Sequence, residues 1–202
     1  MNRDRIDHND GTRELLLLSA IDLFFEKGYV GASVREIVKK AHVTNSILYH
    51  YFKDKNELLY VIINRIGREL IETLRSVQKM HDDPVEVLAN MIFAQVCVVE
   101  EKKKEVKIFL DEQYQLEPTY ESRILQQHRW IYDLYREQLE ALDKKGCLRD
   151  VNKTATNFAI HAMTNWPYRW YREGGPEDIE DVAKAITDML FNGILIKSEN
   201  FS

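Results

Sequence analysis

Residues that break helices are scarce in this chain: 8 glycines and 4 prolines stand among 202 residues. A β-sandwich or barrel needs a turn about every 8–12 positions, and so few breakers cannot punctuate one. Long helices are what such a chain can build. Apolar residues at 45% are enough for a core, and charged residues at 30% suit long solvated helix faces. The same numbers exclude disorder and collagen-like structure. The expected fold class is all-α.

The breakers and caps that do occur divide the chain into about nine helices. Leu16, Ala20, Leu23 and Phe24 recur at helical spacing over 12–27, and Gly28 is placed to stop that helix. Ser33-Val34-Arg35-Glu36 is a capping box opening a helix of about eight residues. After a turn at His42-Val43-Thr44, a second short helix covers 45–51. Asp54-Lys55-Asn56-Glu57 is another capping box, opening a helix to about Met80. Asp82-Asp83-Pro84 ends that helix and starts the next, with Pro84 suited to the first helical position. Further helices are expected at 84–100, 104–115, 119–144, 152–172 and 178–197. Gly146 and Gly174-Gly175-Pro176 mark breaks, and no repeat is visible.

Function classes narrow quickly. Cys97 and Cys147 have no CxxC partner, which excludes a disulfide framework and a thiolate zinc site of usual spacing. The start of the chain has no apolar core, so it does not read as a signal peptide, and no stretch is long and apolar enough to span a bilayer. A reducing cytoplasm is the expected home, with no membrane partner. None of the six histidines has a second at i+3 or i+4, so no metal or other cofactor is expected. No nucleophile elbow, Walker A or dinucleotide fingerprint occurs, and no catalytic residues are expected. Net charge is −5, yet residues 33–55 hold Arg35, Lys39, Lys40, Lys53 and Lys55 against Glu36 and Asp54. The chain is acidic with one basic segment.

That segment coincides with the two short helices. A pair of short helices on a tight turn, backed by an earlier helix, is the helix-turn-helix arrangement, whose second helix is narrow enough to enter the major groove. Thr44, Asn45, Ser46, Tyr49 and His50 are hydrogen-bonding side chains on the first turns of the second helix. Val43, Ile47 and Leu48 are expected on the opposite face as its anchor. Arg35, Tyr51 and Lys55 surround it with groups suited to phosphate, and helix starts at 34 and 55 add amide donors. The bland alternative is an ordinary solvated helical hairpin. It would belong to a helical ligand-binding protein without specific DNA binding.

The stretch Ala41-His42-Val43-Thr44-Asn45-Ser46-Ile47-Leu48-Tyr49-His50-Tyr51-Phe52-Lys53-Asp54-Lys55-Asn56-Glu57-Leu58 resembles the signature of TetR/AcrR-family transcriptional regulators. Upstream, a Thr-Arg-Glu start, Ala20 with Leu23-Phe24, Gly28-Tyr29 and Ser33-Val34-Arg35-Glu36-Ile37 match in order and spacing, so the resemblance covers about 12–60. It implies a homodimeric, ligand-responsive regulator, usually a repressor, that binds a palindromic double-stranded DNA operator. By that resemblance Thr44, Asn45, Ser46 and His50 approach bases, while Arg35, Tyr49, Tyr51 and Lys55 hold phosphates. The domains expected are 1–58 for DNA binding and 59–202 for ligand binding and dimerisation. His42 stands where the family usually has Gly, at a turn that calls for left-handed backbone. Ser46 and Tyr51 stand where Gly and His are frequent, which would alter contacts rather than the binding mode.

In the second domain, Ile179, Val182, Ala183, Ile186, Leu190, Gly193 and Ile194 make an apolar stripe, and Ala155, Phe158, Ala159 and Ala162 make another. The resemblance makes these two stripes a four-helix dimer seam; the alternative is that both face the chain's own core. The run Asn165 to Pro176 holds Trp166, Tyr168, Arg169, Trp170, Tyr171 and Arg172, with Pro167 expected to bend the helix. Such a run packs a helix end or clamps a planar or anionic ligand. Residues 150–195 are also similar to TetR-type regulators of lipid, sterol and aromatic-acid catabolism, several of which respond to coenzyme A thioesters. A small apolar or acyl-CoA-like effector is implied, with Phe93, Phe109, Tyr114, Trp130, Trp166, Arg169 and Trp170 as candidate ligand contacts.

Overall fold

The computed structural model describes the backbone of residues 3–196 and the side chains of 11–196. Arg3 and Arg5, and Lys197 at the expected end of the last helix, lie outside the described side chains. Among the described residues there are nine helices of seven residues or more, one single-turn α-helix and one turn of 3-10 helix at Gln113–Gln115. They are α1 (Arg3–Gly31), α2 (Val34–Lys40), α3 (Asn45–Tyr51), α4 (Lys55–Met80), α5 (Pro84–Glu101), α6 (Lys103–Asp111), α7 (Pro118–Lys144), α8 (Lys153–Asn165), α9 (Pro167–Trp170) and α10 (Ile179–Ile194). No strand occurs among them; Leu148 and Leu195 form an isolated antiparallel bridge. The expected helix over 152–172 is two helices, because Pro167 cannot donate and takes the first position of a new turn instead.

Local chemistry accounts for the boundaries. Gly28 leaves helical geometry at φ 73°, as its place in the sequence requires. At α2, Ser33 Oγ accepts from Glu36 N at 3.3 Å while Glu36 Oε2 accepts from Ser33 N at 2.9 Å, which is the expected capping box. The box at α4 is shifted by one residue: Asp54 Oδ1 accepts from Glu57 N at 2.8 Å, but Glu57 reaches back to Lys53 N. α2 ends in a Schellman motif, with Val43 N donating to Val38 O and His42 N to Lys39 O. His42 takes the left-handed position at φ 54°.

The chain forms two compact units. The first comprises residues 1–67 together with 104–125. Its core gathers Leu16, Ala20 and Phe24 of α1, Ile37 of α2, Leu48 of α3, and Leu58 and Ile63 of α4, each fully buried. Within it the later segment is tied to the three N-terminal helices at two places. Asp22 takes Lys40 of α2 at 2.9 Å and Lys104 of α6 at 2.6 Å, and these cations hold its carboxyl below the usual range, Lys104 foremost. Asn56, buried, donates to Tyr29 Oη at 3.2 Å and Gln115 O at 2.8 Å, and accepts from Glu117 N at 2.9 Å.

The second unit comprises residues 68–103 and 126–202. Here α5 packs against α8 and α10. Leu88, Met91, Ile92 and Val96 are fully buried, as are Tyr135 and Leu139 of α7 and Ile160 of α8. Six residues of the α10 stripe expected at a dimer seam, Ile179, Val182, Ala183, Ile186, Leu190 and Ile194, are instead buried within this chain, while Gly193 is exposed. A helix whose apolar stripe meets a hydrophobic partner nearby buries it there first. The α8 stripe behaves differently, with Ala155, Phe158, Ala159 and Ala162 exposed. Among the described residues no helix is long and apolar enough to cross a membrane.

Candidate nucleic-acid interface

The helix-turn-helix is built by α2 and α3 with α1 behind them. α3 is seven residues long and is held to the core by Leu48, which is fully buried. Thr44, Asn45, Ser46, Tyr49 and His50 are exposed, so the polar set read from the sequence lies on one accessible surface. Thr44 caps α3 through its backbone and makes no side-chain cap bond. The expected anchor changes in one place. Val43 is half-buried, but Ile47 is 37% exposed. Successive helix residues turn by about 100°, so Ile47 is rotated from Leu48 towards the open side and shares the surface with Ser46. Arg35 is exposed on the first turn of α2, and Tyr51 is half-buried with its ring edge-on to His50, centroids 5.0 Å apart.

Lys55, expected at a phosphate from its position, has partners within the protein. Its ammonium donates to Tyr29 O and Ala32 O, both at 2.9 Å, and lies 4.2 Å from the Tyr29 ring centre. Two of its three protons thus cap the carbonyl end of α1, and burial lowers its pKa. The helix starts assigned to phosphate are also engaged. Ser33 and Glu36 close the start of α2, and Lys27, with the Ser33 bonds, holds Glu36 down at about 2. Arg35 and Lys39 are exposed cations on α2, and exposed Lys53, just beyond α3, has its Nζ 3.7 Å from Asp54 Oδ2.

The seven expected ligand contacts are divided between the two units. Phe109 is buried and Tyr114 is 81% exposed, and both belong to the first unit. Phe93 is half-buried on α5, and Trp130 is 45% exposed on α7. Trp166 and Trp170 are exposed around α9, and Arg169 donates to Tyr168 Oη at 2.7 Å. An open groove of about 820 Å³ in the second unit, lined by Val85, Lys145, Cys147, Phe191, Leu195 and Ile196, contains none of the seven. What sequence reading missed is a polar layer made by buried Gln95, Tyr135, Asn157 and Thr164 with half-buried His161. The signal was available: Gln95 interrupts the apolar run Met91-Ile92…Val96…Val99 at a core position. Among the described residues no group of three or more His, Cys, Asp or Glu could hold a metal ion.

Residues 16–61 match the model of bacterial regulatory proteins of the tetR family, and residues 81–194 match the tetracyclin repressor-like C-terminal domain. The HTH-type transcriptional repressor KstR2 of Rhodococcus jostii is 27% identical, the alignment covering 95% of each chain. Among solved structures, the ketosteroid transcriptional regulator KstR2 of Mycobacterium tuberculosis superposes with a TM-score of 0.85 at 26% identity, over 92% of this chain and 95% of that one. AibR in complex with isovaleryl coenzyme A and operator DNA superposes with a TM-score of 0.83 at 28% identity, over 89% and 98%. With a matching reading head and a matching second domain in their proper order, the chain belongs to the TetR family of DNA-binding transcriptional regulators.

Proposed function

We propose that this protein is a cytoplasmic, homodimeric repressor that binds a palindromic operator and is released by a small apolar or acyl-CoA-like effector. One observation carries the reading: on α3, Leu48 is fully buried while Asn45, Ser46, Ile47, Tyr49 and His50 are all exposed. A short helix fixed by one apolar anchor and presenting polar side chains outward suits the major groove. Thr44, Asn45, Ser46 and His50 are assigned to bases. Arg35, Tyr49, Tyr51 and the remaining proton of Lys55 are assigned to phosphates. Ile47 adds an apolar surface that suits a thymine methyl group. In this reading residues 1–58 bind DNA, and residues 59–202 bind effector and dimerise.

Two copies would pair through α8, where Ala155, Ala159 and Ala162 leave room for close helix approach and Phe158 is 62% exposed. Half-sites would then lie about 34–36 Å apart or a multiple of that. An effector that binds better when the heads are at another spacing lowers operator affinity by that difference in affinity. The acyl-CoA class is supported by the likeness to AibR, whose structure holds isovaleryl coenzyme A together with operator DNA.

The test is titration of the protein with its own upstream intergenic DNA, with and without decanoyl-coenzyme A. Expected are tight, salt-sensitive binding and its loss with the thioester. Asn45→Ala should weaken the specific complex by about tenfold, one base contact being worth roughly 1–3 kcal/mol, with little change on random DNA. No specific complex at about 0.1 M salt, followed by failure to select any sequence from random DNA, would sink the regulator reading.

A further inference from the structure

The second unit carries polar side chains where α5, α7 and α8 pack. The Tyr135 hydroxyl lies 3.1 Å from Met91 O and 2.9 Å from Gln95 Oε1, and Gln95 Nε2 donates to Thr164 Oγ1 and Asn165 Oδ1 at 2.9 Å each. Two turns back along α8 this pairing stops. Asn157 is fully buried and its Nδ2 donates to Tyr132 O at 2.9 Å, yet its Oδ1 has no partner in the protein. His161 stands four residues on, so it shares a face with Asn157. Its ring is 5.0 Å from Tyr135 and 6.4 Å from Tyr132, and its Nε2 is equally without a partner.

Buried polar atoms are nearly always paired, so two unpaired ones sharing a face of one helix call for a common ligand group. The donor inventory decides its kind. Asn157 Oδ1 can only accept, whereas the Nε2 of a neutral imidazole either donates or accepts. Burial, with His128 close by, holds His161 down at about 4, so it is neutral at pH 7. His128 is itself lowered by burial. No cation therefore faces the pair from these groups, and a carboxylate would bring an uncompensated charge. A ketone only accepts, leaving Asn157 Oδ1 unpaired. A hydroxyl or a primary amide can serve both atoms.

We infer that Asn157 and His161 form the polar anchor of the effector site, taking an uncharged hydroxyl or amide group of an otherwise apolar effector. This rests on the reading that the second domain binds a small effector, and it adds the effector's chemistry. Arg169, one of the candidate contacts read from the sequence, would favour an anion; the anchor favours a neutral donor.

The test uses four probes of one chain length: 1-octanol, octanamide, 2-octanone and octanoate, titrated calorimetrically into the full-length protein. The alcohol and the amide should bind at least about tenfold tighter than the ketone and the acid, because the buried acceptor rejects groups without a donor. Asn157→Leu and His161→Phe should each bring the four affinities to within about threefold of one another. Should Asn157→Leu fail to fold, His161→Phe carries the same comparison. Octanoate binding as tightly as octanol, discrimination that survives in a folded variant, or no binding of any probe at about 5 mM would each overturn the proposal. The operator titration above is independent of these outcomes, so the anchor can fail while the regulator reading stands.

Discussion

His42 shows how a single residue can be read from sequence and then located. It follows α2 at a position where φ is 54°, and the amides on either side of the turn close the Schellman motif around it. A side chain in left-handed backbone costs about 1–2 kcal/mol, partly offset because glycine loses more freedom on folding. His42→Gly should therefore raise stability by about 0.5–1 kcal/mol in urea unfolding; a loss of stability would mean that the imidazole contributes to the turn. Ile47 is the opposite case, since its apolar character suggested the core and its position on α3 exposes it. Replacing operator thymines by deoxyuridine one at a time should weaken wild-type binding at one position of each half-site. Ile47→Ala should be insensitive to that same replacement. Equal sensitivity of both proteins at every thymine would remove Ile47 from the reading surface. Lys55 was legible as a cation beside the reading helix. Its capping of Tyr29 and Ala32 was not, because partners 26 and 23 residues away leave no local mark.

Elements were legible where their ends are chemically punctuated. α2 and α4 begin at the capping boxes read at Ser33 and Asp54, α3 after the turn that ends at Thr44, and α5 at Pro84, within a residue of expectation. Caps act through neighbouring amides, so sequence alone carries them. The faces of the helices were harder. α8 and α10 both carry apolar stripes, and periodicity cannot say whether a stripe meets its own chain or another copy. Burial separates them: the α10 stripe is internal, while Phe158 and its alanine neighbours on α8 are exposed. Phe158→Asp should consequently give a monomer in sedimentation and reduce operator affinity by at least about tenfold, as one half-site is lost. A variant that sediments as the wild type does would place the dimer contact elsewhere.

At the scale of the whole molecule, stability follows from what the core leaves charged or neutral. His161 is neutral when folded down to about pH 4, whereas an unperturbed histidine protonates near 6.5. Between these values the unfolded chain binds the additional proton, so acidification stabilises the unfolded state. Stability should fall as pH drops from about 6.5 to 4, by up to about 3 kcal/mol from this group. Thermal unfolding across that window checks it: His161→Phe should show a shallower slope than the wild type, and parallel slopes would refute the assignment. All-α class, the order of the helices and the reading head were determined by the sequence itself, because helix period, caps and breakers act over a few residues. Only tertiary structure decided that residues 104–125 pack with the N-terminal helices through Asp22 and Asn56, that α10 turns its stripe inward, and that Asn157 Oδ1 and His161 Nε2 are both buried. Those outcomes depend on side chains far apart in the chain competing for the same partners, and no local pattern records which contact wins.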